Sequence, residues 1–477
     1  MTTQLYCQHH NSFLADRFVE GECPVCGHVD ARGDQCDFCG QLLDPTDLKN
    51  PRCKIDGATP VTNDTKHIFL ELDKLQPEIQ NFFEQSAGKG AWSSNGKDIT
   101  TAWLKEGLKP RSITRDMKWG TGVPLRGYED KVIYPWFDAC IGYVSITARY
   151  TDHWEQWWRN PEEVQLYQFI GKDNVAFHSV IFPGSQIGSR DTWTKLHHLS
   201  TTEYLTYEGG KFSKSRGVGV FGDSAQQTGV PSDVWRYYLL SHRPETSDSE
   251  FNWDTFIASN NNLLLKNLGN FVSRVVKFAN SKHFNNIVPN YADCSEYLFE
   301  TWKDEINTLL TQYIQTLDAV KLRAGLSIVL QMSQKGNIFL QSNSLDNKLA
   351  ENEPSKCAAV IGFALNLIHL LASLIAPYMP QTAKSMNTQL HAEPLPILDH
   401  WNADSIKPGH EIGKAAYLFS PIKPEKGQEW REMFGSEEVK KVKDEEATRK
   451  ATKKAARKAG KSSLKEAKEC ASCSARP

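Results

Sequence analysis

The sequence predicts an α/β chain: a first half of short strands and helices around a cysteine-rich knuckle, then a second half that is an all-helical bundle. Three observations carry that expectation. Cys23, Cys26, Cys36 and Cys39 stand as two Cys-x-x-Cys pairs with nine residues between them, which is metal-ligand spacing. Around Val132–Pro183 lie two apolar segments, KVIYPWFDA and VAFHSVIFPG. Each ends in Pro, Gly or small residues, as strands do when they deliver side chains to a site. Past Asn260 apolar residues recur at helical spacing over long stretches.

The bulk numbers set the frame. A chain of 477 residues has room for about three domains, and 40% apolar with 23% charged residues is ordinary globular composition. The net charge of −2 leaves only a weak global field, so any affinity for nucleic acid must come from local patches. Such a patch exists at the end, where Ala447–Pro477 holds ten Lys/Arg against two Glu, a block of +8. Met1–Arg17 has no apolar core of the kind a signal peptide needs. Eleven cysteines, an odd number with four in metal spacing, point to a reducing, cytoplasmic setting rather than a disulfide framework. Cys357–Ala376 is apolar enough to pose as a membrane span, but it contains Asn366 and His369 and ends at Pro377. We read it as a buried bundle helix and expect no membrane partner.

In chain order, the region up to Asp56 is loop-rich. KHIFLELDKL alternates like a strand and PEIQNFFEQ follows like a helix. LSTTEYLTYEGGKFSKSRG reads as a hairpin running into a Gly- and Lys-rich loop. Leu264, Leu268, Val272 and Val275 form one helical stripe, and Leu309–Gln331 and Ala358–Ala376 read the same way. Past Pro424 the composition turns to Lys, Glu and Ala, a helix that is solvated or disordered when alone.

The four knuckle thiolates would close one tetrahedral zinc site with no open position for water, so that site is structural rather than catalytic. Gly27, Gly33 and Gly40 suit its tight turns. Cys7-x-x-His10 and Cys53-x-x-Asp56 bracket it almost symmetrically. Aspartate is a poor fourth ligand beside thiolates, so this outer set reads as a degenerate remnant, with a working second zinc as the other reading.

Gly209–Gly217 (GGKFSKSRG) places Lys211 and Lys214 three apart, with small hydroxyl residues and flanking glycines. A mobile cationic loop of this kind can fold over polyphosphate and neutralise charge that grows as pyrophosphate leaves. Taken alone, an exposed basic turn is the plainer reading.

The surroundings change that balance. The stretch resembles the KMSKS signature of class I aminoacyl-tRNA ligases, with Phe212 in the Met position. Tyr134–Tyr143 (YPWFDACIGY), Phe169–Asn174 (FIGKDN) followed by Phe177-His178-Ser179, Leu14–Gly21, and Ala31–Gln35 resemble, in the same order, segments of the methionine-specific family. The resemblance runs from about Tyr6 to Trp430. It implies a fold that is the second half of a class I Rossmann-like nucleotide-binding core with a zinc-knuckle insertion, followed by an α-helical anticodon-binding bundle. The implied parts are a knuckle insertion over 1–130, core over 131–200, loop and connecting domain over 201–258, anticodon bundle over 259–425 and a charged, then basic, tail over 426–477.

The resemblance also implies roles. Trp136, Ala139, Tyr143 and His178 would line a methionine pocket, where aromatic faces suit a polarizable thioether. Without the motif, Trp136 and Tyr143 would read as core aromatics. Gly171 and Asp173 would hold adenosine and its ribose, and Leu205 would lie by the adenine. Lys214 would be the main transition-state lysine, with Lys211 assisting. Cys140 stands where relatives often carry Pro or Thr, and Lys172 is left unassigned. Asn270 and Arg274, four apart on one helix face, would read the anticodon by hydrogen bonds to splayed-out bases; a solvated polar face is the plain alternative. Trp401 would add a stacking ring.

The implied reaction is ligation of methionine to tRNA(Met) through methionyl-adenylate, with ATP, Mg²⁺ and a structural Zn²⁺. The histidine-containing HIGH signature of class I ligases belongs before the knuckle and is not found there. The one similar string, Pro408–Gly413, lies beyond the bundle. The chain is therefore expected to lack that half-site, with apolar sheet edges exposed. Alone it would be inactive in adenylation, a non-catalytic tRNA-binding fragment being the alternative function. An unrelated zinc-ribbon binder of nucleic acid is disfavoured by the Trp136–Tyr143 and Lys211–Ser215 stretches. The basic tail reads equally as a source of nonspecific tRNA affinity or as a dock for an accessory or multi-synthetase partner. Cys470 and Cys473 are too few to close a metal site.

Overall fold

The computed structural model describes residues 2–435 apart from 15–17, 34–35, 37–38, 40–42, 118, 211, 213–217 and 292–298, and apart from the side chain of Trp136. The chain divides into two compact units: Met1–Tyr204 with Glu245–Ser247, and Leu205–Pro244 with Asp248–Pro477.

The first unit opens with two small antiparallel sheets. One orders Ser12–Phe13, Thr2–Cys7, Val61–Thr65, and the other orders Ala31–Arg32, Val19–Glu22, Lys49–Cys53. Their shared core is small and cysteine-rich: Leu5, Leu14, Val19, Ala31 and Leu48 pack with Cys7, Cys23, Cys36 and Cys53. So little apolar area is a weak core by itself, and bound metal is the usual supplement. Next to this layer Asp116 is buried between His67 Nε2 at 3.0 Å, Lys131 and Thr65. Burial pushes its carboxyl up, but the hydrogen bonds from His67, Lys131 and Thr65 win and hold it down at about 2.

KHIFLELDKL departs from its expected strand. Only Phe69–Leu70 is extended, and a helix begins at Leu72 and runs to Lys89. Leu72, Leu75 and Ile79 fall on one buried helical face, and that 3.6-residue stripe outweighs the short alternation before it. The expected helix over PEIQNFFEQ lies inside it.

Leu166–Gly171 and Leu196–Thr202 form a parallel pair, with Tyr167 opposite His198 and Phe169 opposite Ser200. Parallel neighbours need a crossover between them. That crossover is VAFHSVIFPG, which is not the expected strand but helical: Phe177–Ile181 in wide i→i+5 turns, then a helix over Phe182–Gly188. A short run apolar on every side looks the same to sequence periodicity whether strand or buried helix. Here Val180, Ile181 and Phe182 are buried as a helix. The far edge of Leu196–Thr202 is closed by Ser93 N–H on the Leu199 carbonyl at 3.0 Å and Trp92 Nε1 on that of His197 at 2.8 Å. The strand Leu166–Gly171 has no second strand beside it among the described residues, and Tyr167 and Phe169 are 41% and 53% exposed.

The hairpin expected at LSTTEYLTYEGG does not form. Leu196–Thr202 pairs with Leu166–Gly171, whereas Leu205–Tyr207 pairs in parallel with Ser249–Phe251. Only Glu203 and Tyr204 separate the two strands, and neither supplies the glycine or asparagine that a two-residue hairpin turn requires.

The second unit holds the expected helical bundle together with the strand pair Leu205–Tyr207 and Ser249–Phe251. Trp253–Ala258, Ser259–Gly269 in wide turns, and Asn270–Ala279 make one nearly continuous rod. Leu264, Leu268, Val272 and Val275 are fully buried along it. Burying each such side chain stabilises by about 1.5–3 kcal/mol. Glu300–Asp318, Leu322–Ser342, Pro354–Ile375 and Pro380–Leu390 complete the bundle, and Glu425–Phe434 returns to it. The apolar Pro354–Ile375 helix is long enough to cross a membrane, but its whole apolar window is buried inside the protein. Its polar residues are satisfied there: Asn366 Nδ2 donates to Tyr291 Oη at 3.0 Å, and His369 meets Ser405 Oγ and the Glu393 carbonyl. Trp401 is only 4% exposed and packs edge-on to Trp302 at 5.8 Å. It is a core residue, which corrects its reading as a stacking platform for bases.

Candidate functional site

In the first unit the site grows from one helix start and one strand end. Val132–Ile133 is a two-residue strand, and the helix Pro135–Tyr150 follows at once, with Pro135 at its first position. Proline suits that position because its fixed φ is already helical and its missing N–H would have had no partner. Ala139 and Tyr143, four apart, lie on the exposed face of this helix, while Cys140 is buried against Trp158 and Phe182. Burial pushes the Cys140 thiol up to about 12, so it behaves as a small hydrophobe. Trp136 sits in the first turn, and its side chain lies outside the described residues.

Tyr143 Oη lies 2.8 Å from His178 Nε2, and His178 Nδ1 lies 2.8 Å from the Asn174 carbonyl oxygen. A carbonyl only accepts, so Nδ1 carries the proton and Nε2 accepts from the tyrosine hydroxyl. Burial lowers the His178 pKa, against the Asn174 hydrogen bond that raises it, and the ring is held neutral in one tautomer. Tyr143 is 39% exposed, so its ring and oxygen face outward from this buried support. Asn174 is the residue that sequence reasoning missed; its role passes through a backbone carbonyl, which leaves no side-chain signal.

Gly171 closes the strand Leu166–Gly171, and Asp173 follows in a tight turn over Lys172–Asn174. The carboxyl end of a parallel strand is where open α/β sheets place ligands. A Cβ on Gly171 would sit 2.6 Å from Asp173 Oδ1, so glycine is what lets the carboxylate fold against the backbone. Lys172 is paired with Glu203 Oε2 at 2.6 Å, a structural use that agrees with leaving it unassigned.

The cysteine sites share one turn. Cys23 N–H donates to the His28 carbonyl and Gly27 N–H to that of Cys23, at 2.8 and 3.0 Å. Cys53 N–H donates to Ala58 and Gly57 N–H to Cys53, both at 2.8 Å. Gly27 and Gly57 have φ of 72° and 74°, the left-handed geometry that glycine adopts without cost. Asp56 thus stands where Cys26 stands in the first knuckle. The Sγ atoms of Cys23, Cys26, Cys36 and Cys39 all lie within 4.8 Å of one another, with Cys23–Cys39 at 3.9 Å and Cys26–Cys36 at 3.6 Å. Thiolates about 2.3 Å from a tetrahedral zinc would lie about 3.8 Å apart. The donor set fits zinc. The ligand atoms of Cys7, His10, Cys53 and Asp56 also gather within 4.8 Å, with Cys7 Sγ 3.1 Å from His10 Nδ1. The remnant expected from sequence therefore keeps the geometry of a second site.

In the second unit, Leu205 is half-buried at the head of its short strand. Lys211 and Lys214 lie outside the described residues. The described base of their segment is a turn, Tyr207–Gly210, with the Phe212 ring between Tyr207 and Phe221 at 5.3 and 5.8 Å. Asn270 is exposed and Arg274 half-buried, one turn apart on Asn270–Ala279 and away from the buried stripe. In the Pro408–Gly413 string, His410 Nε2 bonds the Leu390 carbonyl at 2.7 Å, a structural use.

Comparison with known proteins follows the same lines. A family model described as tRNA synthetases class I (M) matches residues 1–276, and one described as the anticodon binding domain of methionyl tRNA ligase matches residues 288–439. The probable cytoplasmic methionine–tRNA ligase of Schizosaccharomyces pombe is 56% identical over 437 residues, covering 91% of this chain and 56% of the relative. The cytoplasmic methionine–tRNA ligase of Saccharomyces cerevisiae is 55% identical, covering 91% and 58%. The human one is 46% identical, covering 92% and 49%. The chain thus spans about half the length of the curated relatives it matches. Among solved structures, Mycobacterium tuberculosis methionyl-tRNA synthetase in complex with methionyl-adenylate superposes with a TM-score of 0.67 at 18% identity, covering 88% of this chain and 76% of that one.

Proposed function

The chain belongs to the class I (M) tRNA synthetases, and from that premise we propose that it serves the ATP-dependent ligation of methionine to tRNA(Met). The observation that carries the reading is the Tyr143–His178–Asn174 chain of hydrogen bonds. It presents a neutral, pre-oriented tyrosine beside the small Ala139, next to the strand end that holds Gly171 and Asp173. An apolar, polarizable thioether suits such a surface, and a neutral histidine behind it avoids burying a charge.

In this reading the methionine carboxylate attacks the α-phosphorus of ATP and pyrophosphate leaves. The adenylate's carbonyl is then attacked by a terminal ribose hydroxyl of the tRNA, and AMP departs. Asp173 accepts hydrogen bonds from the ribose of the nucleotide, and Gly171 gives its base and sugar room against the backbone. Leu205 contributes an apolar surface to the adenine. Lys214, with Lys211, neutralises the charge that grows on the leaving pyrophosphate. Mg²⁺ enters with ATP as part of the substrate. Zinc held by Cys23, Cys26, Cys36 and Cys39 shapes the insertion and takes no part in the chemistry. Asn270 and Arg274 meet the anticodon from the exposed face of their helix. A cytoplasmic location is supported by the names of the relatives.

The test is methionine-dependent exchange of pyrophosphate into ATP by the zinc-loaded chain, with Lys214→Ala as control. Exchange that is lost in that variant supports the full reading and overturns the expectation that the chain alone is inactive in adenylation. No exchange, from a folded chain that still binds tRNA(Met) in an anticodon-dependent way, would reduce the function to tRNA binding.

A further inference from the structure

A strap of chain, Gly413–Ile422, runs back along the long rod of the bundle, opposite in direction to Ser259–Gly269 and Asn270–Ala279. Asn280 receives its start: Asn280 Nδ2 donates to the Gly413 carbonyl at 2.9 Å, and the Ala415 N–H donates to Asn280 Oδ1 at 2.8 Å. Further along, the Phe419 ring lies against Gly269, where a Cβ would sit 3.1 Å from it. Asn260 Nδ2 donates to the Ser420 carbonyl at 3.0 Å, and the Ile422 N–H to Asn261 Oδ1 at 2.9 Å. Between these ties Tyr417 stands out of the strap, 75% exposed. Its ring is nonetheless held. Lys277 Nζ donates to the Tyr417 hydroxyl at 3.0 Å and lies over the ring, 4.3 Å from its centroid.

Lys277 belongs to the helix face that carries Asn270 and Arg274, because residues three, four and seven apart lie on one side. Asn270 and Lys277 are exposed there, and Arg274 is half-buried. The charge of this region has one sign. From Thr255 to Ala292 the sequence holds no Asp or Glu but has Lys266, Arg274, Lys277 and Lys282, and Ile412–Pro424 holds only Lys414 and Lys423. Such a surface suits a polyanion. With the ammonium on one side of the Tyr417 ring, the other side accounts for its exposure. Base–aromatic stacking tolerates any sequence, since every base has a π-face. A ring whose hydroxyl is already tethered also loses less freedom on binding than a swinging one. Lys277 keeps two of its three N–H donors for a phosphate oxygen. We propose that Tyr417 and Lys277 form a further RNA subsite, in which a nucleotide adjoining the bases met by Asn270 and Arg274 stacks on the ring and sets its phosphate on the ammonium. This rests on the reading of Asn270 and Arg274 given above. The stacking ring sought at Trp401 is supplied instead from the strap.

The test uses the full chain and, as probe, the anticodon stem-loop of tRNA(Met), intact or with one loop nucleotide at a time made abasic. Tyr417→Ala is expected to weaken binding of the intact loop about tenfold. Tyr417→Phe restores most of that affinity, and neither variant lowers the melting temperature measurably, because the ring is exposed. At one loop position the abasic RNA should itself bind about tenfold more weakly and lose nothing further with Tyr417→Ala, the non-additivity that marks a direct contact. Lys277→Met should weaken binding and reduce the slope of log affinity against log salt by about one. Unchanged affinity in Tyr417→Ala overturns the subsite. So does a loss that adds to that of the missing base at every loop position. Loss in Asn270→Ala with none in Tyr417→Ala keeps the anticodon face and removes the subsite. Loss in Tyr417→Ala with none in Asn270→Ala supports the stack and counts against the reading of Asn270. No binding by the unmodified chain overturns both.

Discussion

Replacing Tyr143 by phenylalanine removes one hydroxyl and leaves the ring in place. In the folded chain that hydroxyl is the donor to His178 Nε2 at 2.8 Å. His178 is buried, and its other nitrogen is already committed to the Asn174 carbonyl. Without the hydroxyl Nε2 becomes an acceptor facing an apolar ring, and an unsatisfied buried acceptor costs about 1–3 kcal/mol. Because Tyr143 is 39% exposed, water can reach part of the gap, and the lower end, about 1 kcal/mol, applies. On a unit of some two hundred residues that shifts the melting temperature down by about 2–4 °C. The same hydroxyl oxygen is the polar tip of the proposed methionine surface, so its loss also weakens methionine binding by about 5–10-fold, or about 1–1.4 kcal/mol. Calorimetric titration with methionine, read beside a thermal melt, separates the two effects. A lowered melting temperature with methionine affinity unchanged would refute the pocket and leave Tyr143 as a structural partner of His178.

Further outcomes follow from other parts of the molecule. Native mass spectrometry after zinc reconstitution should find two metal ions per chain, and Asp56→Ala should retain one, because the two ligand sets are separate in the structure. A single ion in the unmodified chain would return Cys7, His10, Cys53 and Asp56 to the status of a remnant. Burial holds the His178 pKa below its ordinary 6.5, so the unfolded state binds the proton more readily. The associated stability is present above pH 6.5 and is lost as the pH falls through the lower folded value. The melting temperature of His178→Gln should therefore change less between pH 7 and pH 5 than that of the unmodified chain; parallel curves would contradict this. Asn270→Ala and Arg274→Ala should each weaken tRNA(Met) binding by about tenfold, as expected for a base contact of about 1–3 kcal/mol. A tRNA with an altered anticodon should show no such loss, and an equal loss with both tRNAs would mean phosphate contact only.

Some of this molecule is legible in the residues alone. The knuckle is, because four thiols at fixed spacing can close around a metal only through local turns, and Gly27 marks one of those turns. The buried stripe Leu264, Leu268, Val272 and Val275 is too, because a long helix repeats its packing face often enough to be counted. Asn366 and His369 already argued that the apolar Pro354–Ile375 helix belongs inside a bundle. The roles proposed for Tyr143 and His178 rest on the family resemblance, since an aromatic and a histidine are more often core residues.

What the tertiary structure decided is wherever one short pattern admits two partners. VAFHSVIFPG became a helix because the parallel strands on either side of it need a crossover. LSTTEYLTY split between two sheets because no turn residue holds its halves together. Trp401 turned inward because Trp302 waits for it across the bundle. Asp56 took the place of a thiol because its turn repeats that of Cys23–Gly27, which no reading of side-chain chemistry reveals. Arg431 pairs with Glu208 across 223 positions. No local signal links them, because pairing at that distance is written only in the packing of Trp430 and Phe434 on Trp253 that brings them together.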